Sequence, residues 1–308
     1  MRVISDCADY ASDKKSIITL GKFDGIHRGH QKLFKYMRTH RRDDENIVAF
    51  TFDFSIRSVL TGSRAQYLFD DAEKRELLRK QGVDVLVECP FDDSVRCMKP
   101  EDFVRQYLVD KLHVSKIVIG DDFRFGHNRE GDSRLLSELS DKYGYEFYRI
   151  EKEREDGVEI SSTYIRSALS EGNIELVNSL LGFDYFCEGS VVHGNHIGAD
   201  LGSPTINQTF DEVKLLPPYG VYFSKCIIGG REYPAISNIG IKPTVGENNA
   251  VGIESFLLEY SGDLYDKEVK TCLYHYRRPE KKFKDFDELK HAIEEDTRAA
   301  KEYWKLGC

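Results

Sequence analysis

The sequence predicts a chain of two unlike parts: an open parallel α/β sheet over residues 1–182, then a small antiparallel all-β part over residues 183–308 that ends in one helix. Three observations predict it. In the first part, apolar runs of strand length alternate with amphipathic helical segments, the pattern of βαβ units. From Tyr185 to Tyr276, short runs rich in Val, Ile, Tyr and Phe are broken by Gly, Pro and Asn, as in a barrel or a sandwich. Asp285–Trp304 then restores a helical period, with Phe286, Leu289, Ile293 and Ala300 on one face. A length of 308 residues also exceeds one typical domain of about 100–200 residues.

In chain order, the strands of the first part are expected at Ile17–Leu20, Ile47–Phe52, Val83–Val87, Lys116–Ile119 and Tyr145–Ile150. The helices between them are Gly29–Thr39, whose Leu33, Phe34 and Met37 share a face, then Asp71–Gln81, Pro100–Lys111 and Ser133–Lys142. Pro100 suits a first helical turn, where its missing N–H costs nothing. Two short helices, Thr163–Leu169 and Ile174–Leu181, precede Gly182, a natural helix stop.

Composition narrows the function. With 44 Lys+Arg against 53 Asp+Glu the net charge is -9, which argues against general nucleic-acid binding, because phosphate-backbone affinity depends on concentrated basic charge. Small molecules are the expected partners. No apolar stretch approaches the roughly 20 residues of a membrane span, and MRVISDCADY lacks a signal pattern, so a cytoplasmic protein without membrane partners is expected. The 7 cysteines include no C-x-x-C pair and are expected to be reduced thiols, mostly in packing. The sequence leaves the oligomeric state open.

Three motifs carry chemistry in the first part. Gly21–His30, GKFDGIHRGH, follows the first expected strand, where ligands bind in open parallel sheets. Gly25 and Gly29 permit close backbone approach, and His27 and His30, one turn apart, can reach the same phosphate oxygens. Such donors stabilise charge that develops in nucleotidyl transfer. Metal ligation by the two histidines, or His27 capping with His30 packing, stay open on these residues alone. The second motif, IGDDFRFGHNREGD, runs over Ile119–Asp132 behind another strand. The third, ISSTYIR over Ile160–Arg166, opens a helix where Ser162 and Thr163 can cap and Arg166 can reach a phosphate.

In the second part, VVHGNHIGADLGSPTIN over Val191–Asn207 spaces Gly194, Gly198 and Gly202 four apart, without forming a Walker A loop. A glycine-rich hairpin is the plain alternative. Thr205 and Asn207, two apart, can offer oxygens to Mg²⁺ held by ATP phosphates. Glu254, in the largely apolar IESFLL, is a candidate base, or else a solvent-facing residue of a half-buried strand.

On these motifs the chain resembles the prokaryotic bifunctional riboflavin kinase/FMN adenylyltransferases, or FAD synthetases, nearly end to end. GKFDGIHRGH resembles their G-x-F-D-G-x-H-x-G-H, a form of the HxGH motif of Rossmann-like nucleotidyltransferases; IGDDFRFG and SSTYIR resemble two further segments. The resemblance implies that His27 and His30 hold ATP phosphates, that Gly21, Phe23, Asp24 and Gly25 seat the nucleotide, that Asp122 lies near ATP and flavin, and that Ser162, Thr163 and Arg166 contact the triphosphate. For the second half it implies a small β-barrel kinase, with Gly194, Gly198, Gly202 and Pro204 at ATP and riboflavin, Thr205 and Asn207 at the metal, and Glu254 as catalytic base. Asn238-Ile239-Gly240 and Arg278-x-Glu280-x-x-Phe283 match further segments. The chain departs from the family at Phe54-Ser55-Ile56, where T-F-x-P-H-P-R is usual, and at Ala199 and Ser203.

The expected function is phosphorylation of riboflavin to FMN and adenylylation of FMN to FAD with release of pyrophosphate. ATP and Mg²⁺ are the expected co-substrate and metal. The rivals are a chain retaining one of the two activities and a non-catalytic flavin-binding protein. A tRNA-aminoacylating enzyme, suggested by HxGH, is disfavoured by the acidic balance and the lack of a recognisable tRNA-binding domain.

Overall fold

Apolar runs such as Ile17–Leu20 and Ile47–Phe50 are buried at successive positions, so both faces of their strands are covered, as in a parallel sheet flanked by helices. The structure, a computed structural model, describes residues 1–5, 10–53, 66–192, 205–210, 212–242, 250–262 and 264–306. It divides into two units, Met1–Ser162 and Thr163–Cys308.

The principal elements of the first unit are β1 (Arg2–Ile4), β2 (Lys15–Leu20), α1 (Arg28–His40), β3 (Glu45–Asp53), α2 (Asp71–Lys80), β4 (Val85–Pro90), α3 (Pro100–Phe103), β5 (Val114–Gly120), α4 (Ser133–Tyr143) and β6 (Glu146–Ile150). The strands run parallel in the order β1-β4-β3-β2-β5-β6. The chain moves from β2 to β3 on one side, whereas β5 lies on the other side of β2. The order therefore reverses between β2 and β5, and a crevice opens there beyond their carboxyl ends. The loops leaving these two strands begin at Gly21 and Asp121, so GKFDGIHRGH and GDDFRFG flank this switch point.

The expected strands and helices of this half are present, with ends displaced by a few residues. Two features differ. Strand β1 is too short to show a period, and it forms because its edge position lets three residues pair with Val85–Val87. The expected Pro100–Lys111 helix is α-helical only through Phe103 and widens into a π-helix over Val104–Lys111. Its Phe103, Val104 and Leu108 pack in one core with Val48, Phe50 and Ile117.

The second unit holds α5, which begins at the boundary (Ser162–Ser170), then α6 (Ile174–Leu181), β7 (Phe186–Ser190), β8 (Thr205–Thr209), β9 (Gly220–Ile228), β10 (Arg231–Lys242), β11 (Ala250–Leu257), β12 (Glu268–Pro279) and α7 (Phe286–Trp304). The structural division thus falls ahead of the two short helices rather than at Gly182. The reason is local: Asn178 of α6 donates through Nδ2 to Leu273 O at 2.9 Å and accepts from Tyr185 N at 2.7 Å, which ties the helix to β12 and the approach to β7.

The strands form one antiparallel sheet in the order β7-β12-β9-β10-β11-β8. It curls until its ends meet. Val192 N, just beyond β7, donates to Asn207 O of β8 at 2.8 Å, and Gln208 Nε2 donates to Gly189 O at 2.8 Å. This nearly closed barrel has Val191, Ile206, Cys226, Ala235, Leu257 and Val269 in its interior. A buried seam of hydroxyls crosses the same interior, Ser224 to Ser237 at 2.7 Å and Ser237 to Ser255 at 2.7 Å. Asp285 caps α7 by accepting from Glu288 N at 2.9 Å, and Ala300 of α7 is buried with Val221, Phe223 and Ile236 of the barrel's outer face.

Candidate functional site

The loop from β2 into α1 is built of unusual backbone. Phe23 (φ 50), Gly25 (φ 88) and Ile26 (φ 44) all take positive φ, and for the two non-glycine residues this is a strained arrangement of the kind concentrated at ligand sites. The surroundings hold it in place. Phe23 is buried against the rings of His30 and Phe34, each with centroids 5.5 Å away, and it lies across Gly21, where a Cβ would come within 3.1 Å of its ring. Asp24, 6% exposed, accepts from Leu68 N at 2.9 Å, and its carbonyl accepts from Ser162 Oγ at 2.8 Å.

His27 stands at the N-cap of α1 without a side-chain capping bond. Its ring instead stacks on His30, centroids 3.8 Å apart, and Nδ1 of both rings is buried without a hydrogen-bond partner. Gly29 makes this possible, since a Cβ there would lie 3.1 Å from His27 Nδ1. Burial lowers the His27 pKa from 6.5 to about 4, against the raising field of the Asp122 carboxylate. Burial, together with the His27 charge, also lowers that of His30. Both rings are therefore neutral at pH 7.

This neutrality has a stability consequence. Below pH 6.5 an unfolded His27 takes up a proton that the buried ring refuses, so the stability of the folded state is full above pH 6.5 and is lost as pH falls through about 4. The expected loss is about 3 kcal/mol. Urea unfolding of the first unit, followed by circular dichroism between pH 7 and pH 4, should show it, and His27→Asn should remove this part of the slope.

The other residues expected at the site are placed as follows. Asp122 has a 73% exposed side chain and an ion pair with Lys152 at 3.0 Å. Arg28 pairs with Glu155 at 2.5 Å and Glu153 at 3.7 Å, tying the start of α1 to the hairpin that leads into Ser162. Thr163 and Arg166 follow Ser162 on α5, within the second unit.

One feature of this unit escapes sequence reading. A cavity of about 320 Å³ beside Gly21 is walled by Phe52, Phe91, Phe103, Phe123 and Phe125. Phe123 and Phe125 stack at 5.7 Å with an interplanar angle of 13°. Phe52 and Phe91 come from the carboxyl ends of β3 and β4, and Phe123 from beyond β5. A flat, apolar slot thus opens on the same rim as the histidines.

In the second unit the register sets out a row. Asn207 of β8 is opposite Glu254 of β11, Glu254 opposite Asn238 of β10, Asn238 opposite Val221 of β9, and Val221 opposite Arg278 of β12. Directly paired residues share a sheet face, so an amide, a carboxylate, a second amide and a guanidinium lie in line. Except for Asn207 and Val221, this row lines a cavity of about 490 Å³ on the outer face of the barrel, together with Thr205, Phe256, Glu280, Phe283 and Leu289, Ile293 and Asp296 of α7. Asn238 Nδ2 donates to Glu280 Oε1 at 3.3 Å. Glu280 lies flat over Gly240, where a Cβ would collide with Oε1 and approach Cδ to 2.7 Å.

Gly240→Ala is therefore expected to expel the flexible Glu280 side chain from the cavity rather than unfold the barrel. The melting temperature should stay within about 4 °C of the parent, a change under roughly 1 kcal/mol. Any reaction run in this cavity should slow roughly tenfold, about what losing one charge-assisted hydrogen bond costs. Calorimetry beside an activity assay checks both.

Gly194, Gly198, Gly202 and Pro204 lie outside the described residues, as do Phe54-Ser55-Ile56, Ala199 and Ser203. Asn238 and Arg278 stand in motifs visible in the sequence, but their place on the same cavity wall as Glu254 follows only from register. Asp296 gave one signal, a carboxylate on the stripe of Leu289, Ile293 and Ala300.

A doubly wound parallel sheet with a glycine- and histidine-rich loop at its switch point, joined to a small antiparallel barrel, defines a two-part nucleotide-handling enzyme. The model of the FAD synthetase family matches residues 9–164, and that of the riboflavin kinase family matches residues 181–304. Curated proteins described as bifunctional riboflavin kinase/FMN adenylyltransferase are similar over nearly the whole length. That of Escherichia coli K12 is 33% identical, with 96% of this chain and 95% of the relative covered; that of Listeria monocytogenes is 34% identical, with 94% of each covered. The chain belongs to the bifunctional riboflavin kinase/FMN adenylyltransferase family. A Streptococcus pneumoniae crystal structure described as a macrolide-efflux protein shares the fold, with a TM-score of 0.84, 28% identity, and 97% and 98% of the two chains covered. Among the described residues of this chain no helix is long and apolar enough to cross a membrane.

Proposed function

We propose that the chain makes FAD from riboflavin in two steps, with residues 183–308 as the kinase and residues 1–182 as the adenylyltransferase. The observation that carries the reading is the row Asn207–Glu254–Asn238, which places one carboxylate between two amides, with Glu254 and Asn238 on the wall of a cavity large enough for a flavin. There Glu254 takes the proton of the riboflavin 5′-hydroxyl as that oxygen attacks the γ-phosphorus of ATP, and ADP leaves.

Thr205 and Asn207 fit a Mg²⁺ ion: they are oxygen donors two apart on one face of β8. Mg²⁺ ordinarily takes one or two protein oxygens and completes its shell with phosphate and water. When bound, it would neutralise charge on the transferring phosphoryl group.

In the first unit, an FMN phosphate oxygen attacks the α-phosphorus of a second ATP and pyrophosphate departs. The neutral His27 and His30 each offer an N–H to the developing charge, beside the N-terminus of α1. Gly21, Phe23, Asp24 and Gly25 shape the loop that receives the nucleotide, with Asp122 at its rim. Ser162, Thr163 and Arg166 are assigned to the triphosphate on their motif. The aromatic slot of Phe52, Phe91, Phe103, Phe123 and Phe125 suits the isoalloxazine ring. The partners are thus small molecules, and the setting is cytoplasmic.

The test is chromatographic. Riboflavin with ATP and Mg²⁺ should yield FMN and then FAD with one pyrophosphate per FAD. FMN without FAD would overturn the two-step reading, and flavin binding without ATP consumption would overturn catalysis altogether.

A further inference from the structure

Asp296 has no part in the reaction just described, yet it sits 4% exposed on the buried stripe of α7 and lines the cavity that holds Glu254. A buried carboxylate is costly unless paired and hydrogen-bonded. Its partner is Arg278. Asp296 Oδ2 accepts from Arg278 Nη2 at 2.8 Å and from Nε at 3.0 Å, with Oδ1 3.4 Å from Nε. Arg277 Nε adds a weaker approach to Oδ1 at 3.6 Å.

The Arg278 guanidinium is fixed from other sides as well. Its Nη1 donates to Pro279 O at 3.2 Å, and its Cζ lies 5.9 Å from the Phe283 ring. A long side chain with many rotamers is thus held in one, and the plane of its fork is set by the carboxylate. In the transverse row Arg278 stands three strands from Glu254, roughly 14 Å as measured along the curled sheet. Its guanidinium is turned to Asp296 on α7 rather than to Glu254, where it can meet the opposite end of the same flavin, whose ring carbonyls and nitrogens accept hydrogen bonds.

We infer that Asp296 is a positioning residue of the kinase step: through Arg278 it fixes the guanidinium that receives the ring end of riboflavin. This rests on the assignment of the cavity to riboflavin. A contact made equally to substrate and transition state changes KM and leaves kcat alone, which separates this role from one in the chemical step.

The experiment uses the full chain with riboflavin and Mg-ATP, and compares Asp296→Asn, Asp296→Glu, Arg278→Gln and the double variant Asp296→Asn/Arg278→Gln. Asp296→Asn should raise KM for riboflavin roughly tenfold, the worth of one charge-assisted hydrogen bond, with kcat within about twofold of the parent. Asp296→Glu should recover part of the loss. Because Asp296 acts through Arg278, the double variant should show the KM of Arg278→Gln alone rather than the product of the two effects. It also leaves no unpaired charge from the Arg278–Asp296 bridge, so its stability should exceed that of Asp296→Asn.

An Asp296→Asn chain that loses stability while keeping the parent KM would overturn the inference, as would effects that multiply in the double variant. If Asp296→Asn does not fold, Asp296→Glu carries the test, and an unchanged KM there overturns it equally. Absence of FMN formation in the parent chain would instead overturn the kinase reading itself.

Discussion

Replacing Glu254 by Gln is expected to abolish FMN formation, lowering kcat by roughly 10²–10⁴-fold, while conversion of supplied FMN to FAD continues at the parent rate. The substitution keeps the shape of the side chain and its place between Asn207 and Asn238, and removes only the capacity to accept a proton. Flavin binding in the cavity should survive, so a tight-binding but inactive kinase is the expected phenotype. The measurement is paired: FMN from riboflavin, and FAD from FMN, on one preparation. Joint loss of both activities in a folded chain would sink the division of labour between the units.

His30→Ala should do the reverse. FAD formation should fall roughly 10²–10³-fold, the cost of removing one donor aimed at transition-state charge, and FMN should accumulate from riboflavin. The stacked arrangement sharpens this expectation, because the His30 ring is one face of the slot that holds His27 and also meets Phe23. Its removal loosens His27 as well, so the double variant His27→Ala/His30→Ala should be little worse than the single one. Wild-type rates of FAD formation in His30→Ala would remove the histidine pair from the mechanism.

What the sequence discloses here follows the range of the interactions involved. Strands such as Ile47–Phe52 and helices such as Gly29–Thr39 announce themselves through local periodicity, and GKFDGIHRGH is legible because all its groups lie within ten residues. Glu254 is visible as a carboxylate among apolar neighbours. Its companions Asn238 and Arg278 become companions only when β10, β11, β9 and β12 pair in a particular register, which no local window contains. The phenylalanine slot is assembled in the same way, from the ends of strands far apart in the chain. The π-helix at Val104–Lys111 is hidden for another reason: its residues suit an α-helix equally, and no local pattern separates the two.

The hydroxyl seam through the barrel, Ser224–Ser237–Ser255, bears on how this protein can drift. Ser237 is the shared partner, so exchanging it alone for valine takes a partner from the hydroxyls of Ser224 and Ser255 in the strands on either side, whereas exchanging Ser224 or Ser255 alone leaves Ser237 one partner. The three positions form one heritable unit spread over β9, β10 and β11. A change at the middle position is the uphill step, and there the sequence is confined by coupling among its interior residues as firmly as by its chemistry.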